Sequence, residues 1–264
     1  QILVTYSNIE DRRGTNSSLF PFIDIMAGYD TDSNIIREPY ISAGYELFTY
    51  NNIVKNNVIT VTDNFTYYYN AHKITAGISY EYQNAGNAYM RNGTGYYRYA
   101  SIDDFINGAA PEAFALTYGN NGVEKPASEV AFHQLGIYGQ DEWKLASNFK
   151  VTAGIRLDNV MFYNELMRNQ AIYDLDFNGK KIDTGEWPSS KIQVSPRVGF
   201  TWDVFNDKTL KVRGGTGLFT GRLPLVFFTN MPSNAGMIQS LQRVSTTYNT
   251  DGTIKNVDER LALL

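Results

Sequence analysis

The chain has 264 residues, with 27 acidic side chains against 23 basic ones and a net charge of −4. No basic excess marks a nucleic-acid partner, and the absence of cysteine removes disulfides, thiolate nucleophiles and cysteine metal sites. No run of about 18 apolar residues offers a transmembrane helix. Yet 19 Tyr, 15 Phe, 3 Trp and 22 Gly suit β structure with aromatic belts. A mean hydropathy of −0.32 does not exclude a membrane protein, because barrel strands carry a much weaker hydropathy signal than helices. No signal peptide is recognisable at Gln1, which under a barrel reading points to a mature fragment.

In chain order, residues 2–8 read as a weak strand. Residues 9–57 read as a long connection containing Tyr40–Tyr50, either a loop hairpin or an extension of the wall. Clear alternation starts at 57–69, where Ile59, Val61, Phe65, Tyr67 and Tyr69 share a face and Asp63 is the exception. Ile74, Ala76, Ile78, Tyr80 and Tyr82 oppose Thr75, Gly77, Ser79 and Glu81. In 131–143, Leu135, Ile137 and Trp143 oppose Gln134, Gly136, Gln140 and Glu142, with Asp141 breaking the apolar face. Phe149, Val151, Ala153, Ile155 and Leu157 oppose Lys150, Thr152, Gly154, Arg156 and Asp158. Residues 192–221 read as a hairpin with arms of about ten residues. Val194, Val198, Phe200 and Trp202 lie on one face of the first arm, with Arg197, Gly199, Thr201 and Asp203 on the other; Lys211 and Arg213 continue the polar face on the second arm. Period-two alternation puts the two sets on opposite faces of a sheet, and about ten residues is the length of a tilted membrane-crossing strand.

The connections are short at Asn70–Lys73, Leu145–Asn148 and Phe205–Lys208, and long at roughly 83–130, 160–192 and after 221. In a meander such strict alternation collects the short turns on one rim and the long loops on the other, as in outer-membrane barrels. The expected fold is all-β: an antiparallel meander forming part of a transmembrane β-barrel wall, with short periplasmic turns and long extracellular loops, residues 1–264 being a single domain fragment.

Several segments resemble a known family. Tyr138-Gly-Gln-Asp-Glu-Trp-Lys, Thr152-Ala-Gly-Ile-Arg-Leu-Asp and Ser195-Pro-Arg-Val-Gly-Phe-Thr-Trp-Asp are similar to the barrel of TonB-dependent outer-membrane receptors. Thr62-Asp-Asn-Phe-Thr, Arg213-Gly-Gly-Thr-Gly-Leu-Phe-Thr-Gly-Arg and Asn230-Met-Pro-Ser-Asn-Ala-Gly resemble the Oar-like subgroup of Bacteroidota and related bacteria. The resemblance covers about residues 57–235 and implies a barrel filled by an N-terminal plug and energised through a TonB-type transducer. No plug, no transducer box and no aromatic-rich terminal strand are recognisable, so this reads as a middle section. The implied setting is the outer membrane. The implied partners are its lipid, the parent chain's plug and remaining barrel, the transducer and a surface lipoprotein. The implied function is energised transport of an unknown cargo. The alternative is a soluble all-β binding or adhesion module for a glycan or protein, its apolar faces buried between two sheets.

The candidate lumen-facing set is Glu81, Gln140, Glu142, Lys150, Arg156, Asp158, Arg197, Asp203, Lys211 and Arg213, with wall–wall and wall–plug ion pairing expected ahead of a transport path. Glycines on these polar faces suggest close approach by a plug, or strand kinks. Residues 84–130 are the candidate ligand-contact loop, through Tyr89, Tyr96, Tyr97, Arg98 and Tyr99. Self-packing is the compatible alternative, with Ser101-Ile-Asp-Asp-Phe-Ile-Asn-Gly reading as a capped short helix. Gly214–Arg222 lacks the Gly-Lys-Ser/Thr of a phosphate loop. Asp24, Asp30 and Asp32 do not fit a calcium loop. His72 reads as a turn-surface residue and His133 is undistinguished. No catalytic residue, metal or cofactor is expected.

Overall fold

The computed structural model describes every residue except 223 and 252. Its strands are β1 (Ile2–Arg12), β2 (Phe22–Met26), β3 (Pro39–Ala43), β4 (Ile53–Tyr69), β5 (His72–Ala88), β6 (Tyr96–Tyr99), β7 (Ala113–Gly119), β8 (Ser128–Ala146), β9 (Phe149–Phe162), β10 (Gln193–Asp203), β11 (Lys211–Gly217), β12 (Gln239–Ser245), β13 (Thr247–Tyr248) and β14 (Ile254–Asn256). The helices α1 (Ile102–Ile106), α2 (Gln170–Asp174) and α3 (Leu225–Asn234) are short, and none among the described residues is long and apolar enough to cross a membrane.

The large sheet has the order β1-β4-β5-β8-β9-β10-β11. Setting aside the strands of the smaller sheet, this is chain order, the mark of a meander. Each of the seven expected strands is present, and the registers from β8 to β11 are antiparallel. The long strands exceed their expected bounds at the end away from the short turns. β4 starts at Ile53, β5 runs on to Ala88 and β8 starts at Ser128. In β5 the extension reads Gln83-Asn-Ala-Gly-Asn-Ala, which has no apolar alternation to reveal it. β11 is shorter than expected, pairing over Lys211–Gly217 only. Pro196 sits where that pairing has ended, opposite Leu218, whose N–H donates to the Pro196 carbonyl at 2.9 Å. A proline lacks an N–H to give to a ladder and is tolerated at such a place.

The short turns lie together. Asn70 takes φ +50°, a left-handed conformation that asparagine tolerates, and closes β4 onto β5. The Lys144 N–H donates to the Ala71 carbonyl at 2.8 Å, and the Asp203 N–H to the Asn148 carbonyl at 2.8 Å. These bonds stitch all three turns along one rim, as the alternation of short and long connections requires.

The smaller sheet has the order β12-β7-β6-β2-β3, with β2 and β6 parallel and the other pairs antiparallel. The segment around Tyr40 thus contributes β3, paired with β2. Residues 84–130 are not an irregular loop, since they hold the end of β5, then β6, α1 and β7. The capped helix is present: Ser101 accepts from the Asp104 N–H at 3.1 Å, and Gly108 takes φ +65° past its end.

The chain divides into two compact units. The first comprises 1–9, 55–85 and 129–225; the second comprises 10–54, 86–128 and 226–264. The first carries most of its large apolar side chains outward, with Val130 and Phe132 buried. The second has a core that includes Ile25, Met26, Ile35, Met90, Val244 and Leu261.

Candidate functional site

Within the first unit, register fixes which side chains share a face. Glu142 pairs with Thr152, Tyr138 with Arg156 and Gly136 with Asp158 across β8 and β9; Arg156 then lies beside Ser195 and Gly154 beside Arg197 on β10. This polar face holds most of its charges in pairs. Glu142 accepts from Lys73 at 3.3 Å and Lys150 at 2.5 Å. Arg156 forks onto both oxygens of Asp158 at 2.7 Å and reaches the Ser79 hydroxyl at 2.7 Å. Asp158 is 4% exposed and also accepts from Gln134. One guanidinium nitrogen of Arg222 donates to both oxygens of Glu81, at 2.7 and 2.8 Å. Glu81, Arg156, Asp158, Arg197 and Arg222 surround a cavity of about 250 Å³.

The expected ion pairing therefore covers Glu81, Glu142, Lys150, Arg156 and Asp158. Asp203 departs from it, its carboxylate accepting from the Lys208 N–H at the turn. Arg197, Lys211 and Arg213 have no carboxylate partner among the described residues, and Gln140 makes no side-chain hydrogen bond among them. Arg222 was not expected in the set. It lies just beyond the alternating segment, in a Gly-Arg pair with no period to mark it.

Two of the polar-face glycines, Gly77 and Gly136, have a cause inside the sheet itself. A Cβ on Gly77 would stand 2.4 Å from the Tyr138 ring, and one on Gly136 would meet the Arg156 guanidinium at 2.3 Å. The Arg156 guanidinium in turn lies 5.3 Å from the Tyr138 ring centre. Long side chains from adjacent strands lie flat across the glycines, and these residues are glycine because the space above them is filled by Tyr138 and Arg156. This filling of a strand glycine's empty side by a neighbouring ring is a recognised device of β-sheets.

The opposite face is apolar and open. Ile155 is 49% exposed, Val198 48% and Phe200 39%. In a two-sheet sandwich these residues would be buried, so the soluble alternative lacks its defining feature. The rims of this face carry ring clusters built around the two histidines, neither of which the sequence singled out. Near the short turns, His72 stacks on Trp143 at 5.3 Å and its Nδ1 lies 2.7 Å from Asp141, which explains the acid in the apolar pattern. At the other end of β8, the His133 ring lies 4.8 Å from Tyr163, 5.5 Å from Tyr82 and 5.9 Å from Tyr80, with the Tyr80 hydroxyl 2.7 Å from its Nδ1. From His133 to Trp143 is ten positions along β8, about 33 Å of strand. Tilted by about 45°, that is about 23 Å in height, close to the roughly 25 Å apolar band that aromatic girdles flank in outer-membrane barrels.

In the second unit, strand alternation divides the candidate ligand residues. Tyr96 and Arg98 share one face of β6, and Tyr97 and Tyr99 the other. The Tyr96 hydroxyl donates to Asp24 at 2.9 Å. Burial, and then the hydrogen bond to that carboxylate, push its pKa up to about 12. Arg98 forks onto Glu112 at 3.1 and 3.2 Å. On the other face Tyr97 packs on Phe114 at 4.9 Å and Tyr99 meets Phe105 edge-on at 5.2 Å. The four residues therefore do not share one face. Tyr89 follows the end of β5, where its carbonyl accepts from Gln239 at 3.1 Å.

No curated protein and no solved structure matches this chain. A family model described as "Outer membrane beta barrel domain" matches residues 6–262, which is nearly all of it. The meander, its open apolar face and the ring clusters at both rims are what such a wall requires, and the chain belongs to the outer membrane β-barrel family, a membrane protein of the bacterial outer membrane.

Proposed function

We propose that this barrel belongs to a TonB-dependent receptor of the Oar-like kind, which admits a large or scarce solute or a protein at the expense of inner-membrane energy. The observation that carries the reading is the polar face. Arg197, Lys211 and Arg213 are cations without carboxylate partners among the described residues, as a wall built to meet a further body inside the barrel would have. The resemblance of Tyr138–Lys144, Thr152–Asp158 and Ser195–Asp203 to receptor walls supports it. On this reading the rim of short turns is periplasmic and the ends feeding 84–130, 160–192 and the residues after 221 are extracellular. Partners are outer-membrane lipid, a plug, the rest of the barrel, a TonB-type transducer and a surface lipoprotein. The role is binding and passage, with neither catalysis nor nucleic acid involved. Cargo contact falls to the structure within 84–130.

The test is the gene and its product. Coding sequence for a plug upstream and further strands downstream is expected, and the whole product should be cross-linked to a TonB-type transducer in cells. A whole gene without a plug, whose barrel works equally well after the transducer is deleted, would overturn the proposal.

A further inference from the structure

The small sheet carries a trough that strand alternation cuts into one of its faces. On β7, Ala113, Ala115 and Thr117 point to the same face as Tyr96 and Arg98, while Phe114 and Leu116 point away. Those three small side chains are 4–6% exposed and form a low floor. Register raises a wall on each side. Arg243 lies opposite Ala115 and Leu241 opposite Thr117 on β12, and Tyr96 and Arg98 stand on β6. Arg91 and Asn92 complete the lining, and the cavity measures about 300 Å³.

The charges of this trough are not balanced. Arg98 is matched by Glu112. Asp24, the acid of the lining, accepts from the Tyr96 hydroxyl and from the Ser42 hydroxyl at 2.5 Å. Arg91 lies over the Phe48 ring at 5.0 Å, a contact that holds the plane of a guanidinium and leaves its N–H edge open. Arg243 makes no hydrogen bond or ion pair with another described residue. Two guanidinium groups without carboxylates thus line one concave surface beside a hydroxyl and an amide. In the cavity on the large sheet Arg156 and Arg222 are each held on a carboxylate, and Arg197 is the one cation of its lining without such a partner among the described residues.

We propose that this trough binds a small anion bearing phosphate or carboxylate groups, gripped between Arg91 and Arg243. Guanidinium forks match both oxyanions in geometry, which a point charge does not. The buried alanine floor gives the anion room to approach, and Asn92 supplies an amide donor at the margin. Asp24, already holding two hydroxyl donors, sets a limit on how deep a negative group sits and turns recognition toward the Arg91–Arg243 side. The site does not rest on the transport reading, because binding is measured without uptake.

The experiment is isothermal titration of inorganic phosphate and, separately, citrate into the full-length protein in detergent at low ionic strength, with the uncharged sugar trehalose as control. At least one anion is expected to bind saturably, and whichever binds names the oxyanion class; trehalose is expected not to bind. In Arg91→Gln/Arg243→Gln the affinity should fall by about tenfold or more, while Lys191→Gln, a cation outside the trough, should leave it unchanged. Near-ultraviolet circular dichroism checks that each variant is folded. If the double variant does not fold, Arg243→Gln alone, on an exposed strand position, is read by the same criterion. Absence of saturable binding of both anions to the native protein overturns the proposal, as does equal affinity in a folded Arg243 variant.

Discussion

The large and the small sheet are built from the same kind of alternating strand, and they put their apolar faces to opposite uses. On β2 of the small sheet Ile25 is 6% exposed, beside Tyr99 on one neighbouring strand and Ile41 on the other. On β9 of the large sheet Ile155 is 49% exposed. A period of two states only that a strand has two faces; it is silent on whether the apolar one meets protein or lipid. What separates the cases is the extent and the margins of that face. In the large sheet it continues over seven strands and ends at ring clusters on both rims. In the small sheet Ile25 is buried and Tyr99 beside it is capped by Phe105 of α1, while Ile41 at the margin is half-exposed.

This contrast breaks first under truncation. Ile25→Ala should cost about 2–5 kcal/mol, the range for deleting a buried aliphatic side chain, whereas Ile155→Ala in detergent should cost much less, because lipid or detergent fills the gap. Reversible denaturation of the two variants compares them, and equal losses would mean that the large sheet is covered by protein. Charge tests the same point from the other side. Ile155→Arg, midway between the two ring clusters, should destabilise the lipid-embedded barrel by about 2–4 kcal/mol near mid-bilayer, with Thr201→Arg on the polar face tolerated; equal tolerance in folding assays would refute the facing. A smaller effect separates the two faces of the large sheet. Gly77→Ala must displace the Tyr138 ring and should cost about 1–3 kcal/mol, as overpacking does. At Gly139, a Cβ meets nothing within 4 Å, so Gly139→Ala should be neutral or slightly stabilising. Heat-dependent gel mobility of the two glycine variants distinguishes them.

The smallest effect concerns pH and the small sheet alone. The folded state raises the Tyr96 pKa from 10.0 to about 12, so the folded protein retains a proton that the unfolded chain has lost. Stability from this group is complete below about pH 10 and falls as pH rises toward 12. Thermal melts across that interval should drop less steeply in Tyr96→Phe than in the native protein; identical slopes would place Tyr96 outside the linkage.

Much of the large sheet was legible because its strands obey one period and its short turns carry Asn, Asp and Ser. The strand extensions were not, since Gln83–Ala88 has no apolar face to alternate. The small sheet was hidden for a different reason. Its strands, such as the four residues Tyr96–Tyr99, are too short for periodicity, and β6 finds its partners at residues 22–25 and 113–115 only through long-range pairing. The polar pairs of the wall were visible as a set, but which charges pair depends on register. Gly136 and Asp158 are neighbours because of a turn at 147–148, not because of anything in their own segments. His72 and His133 were passed over because a histidine announces no role until the ring beside it is known, and Trp143 and Tyr163 reach them across strands.

The Tyr138 and Arg156 side chains lying over Gly77 and Gly136 also set the relief of the polar face. A ring or guanidinium plane lying flat takes up about 3.5–4.0 Å, a single contact distance, where the same side chain standing upright would project its whole length. Glycine therefore lowers this face twice over, by contributing no side chain and by leaving room for its neighbour's. What this face presents here is a tyrosine ring and a guanidinium, held in place by Ser79, Asn64 and Asp158. Such a surface offers shallow contacts in place of deep ones.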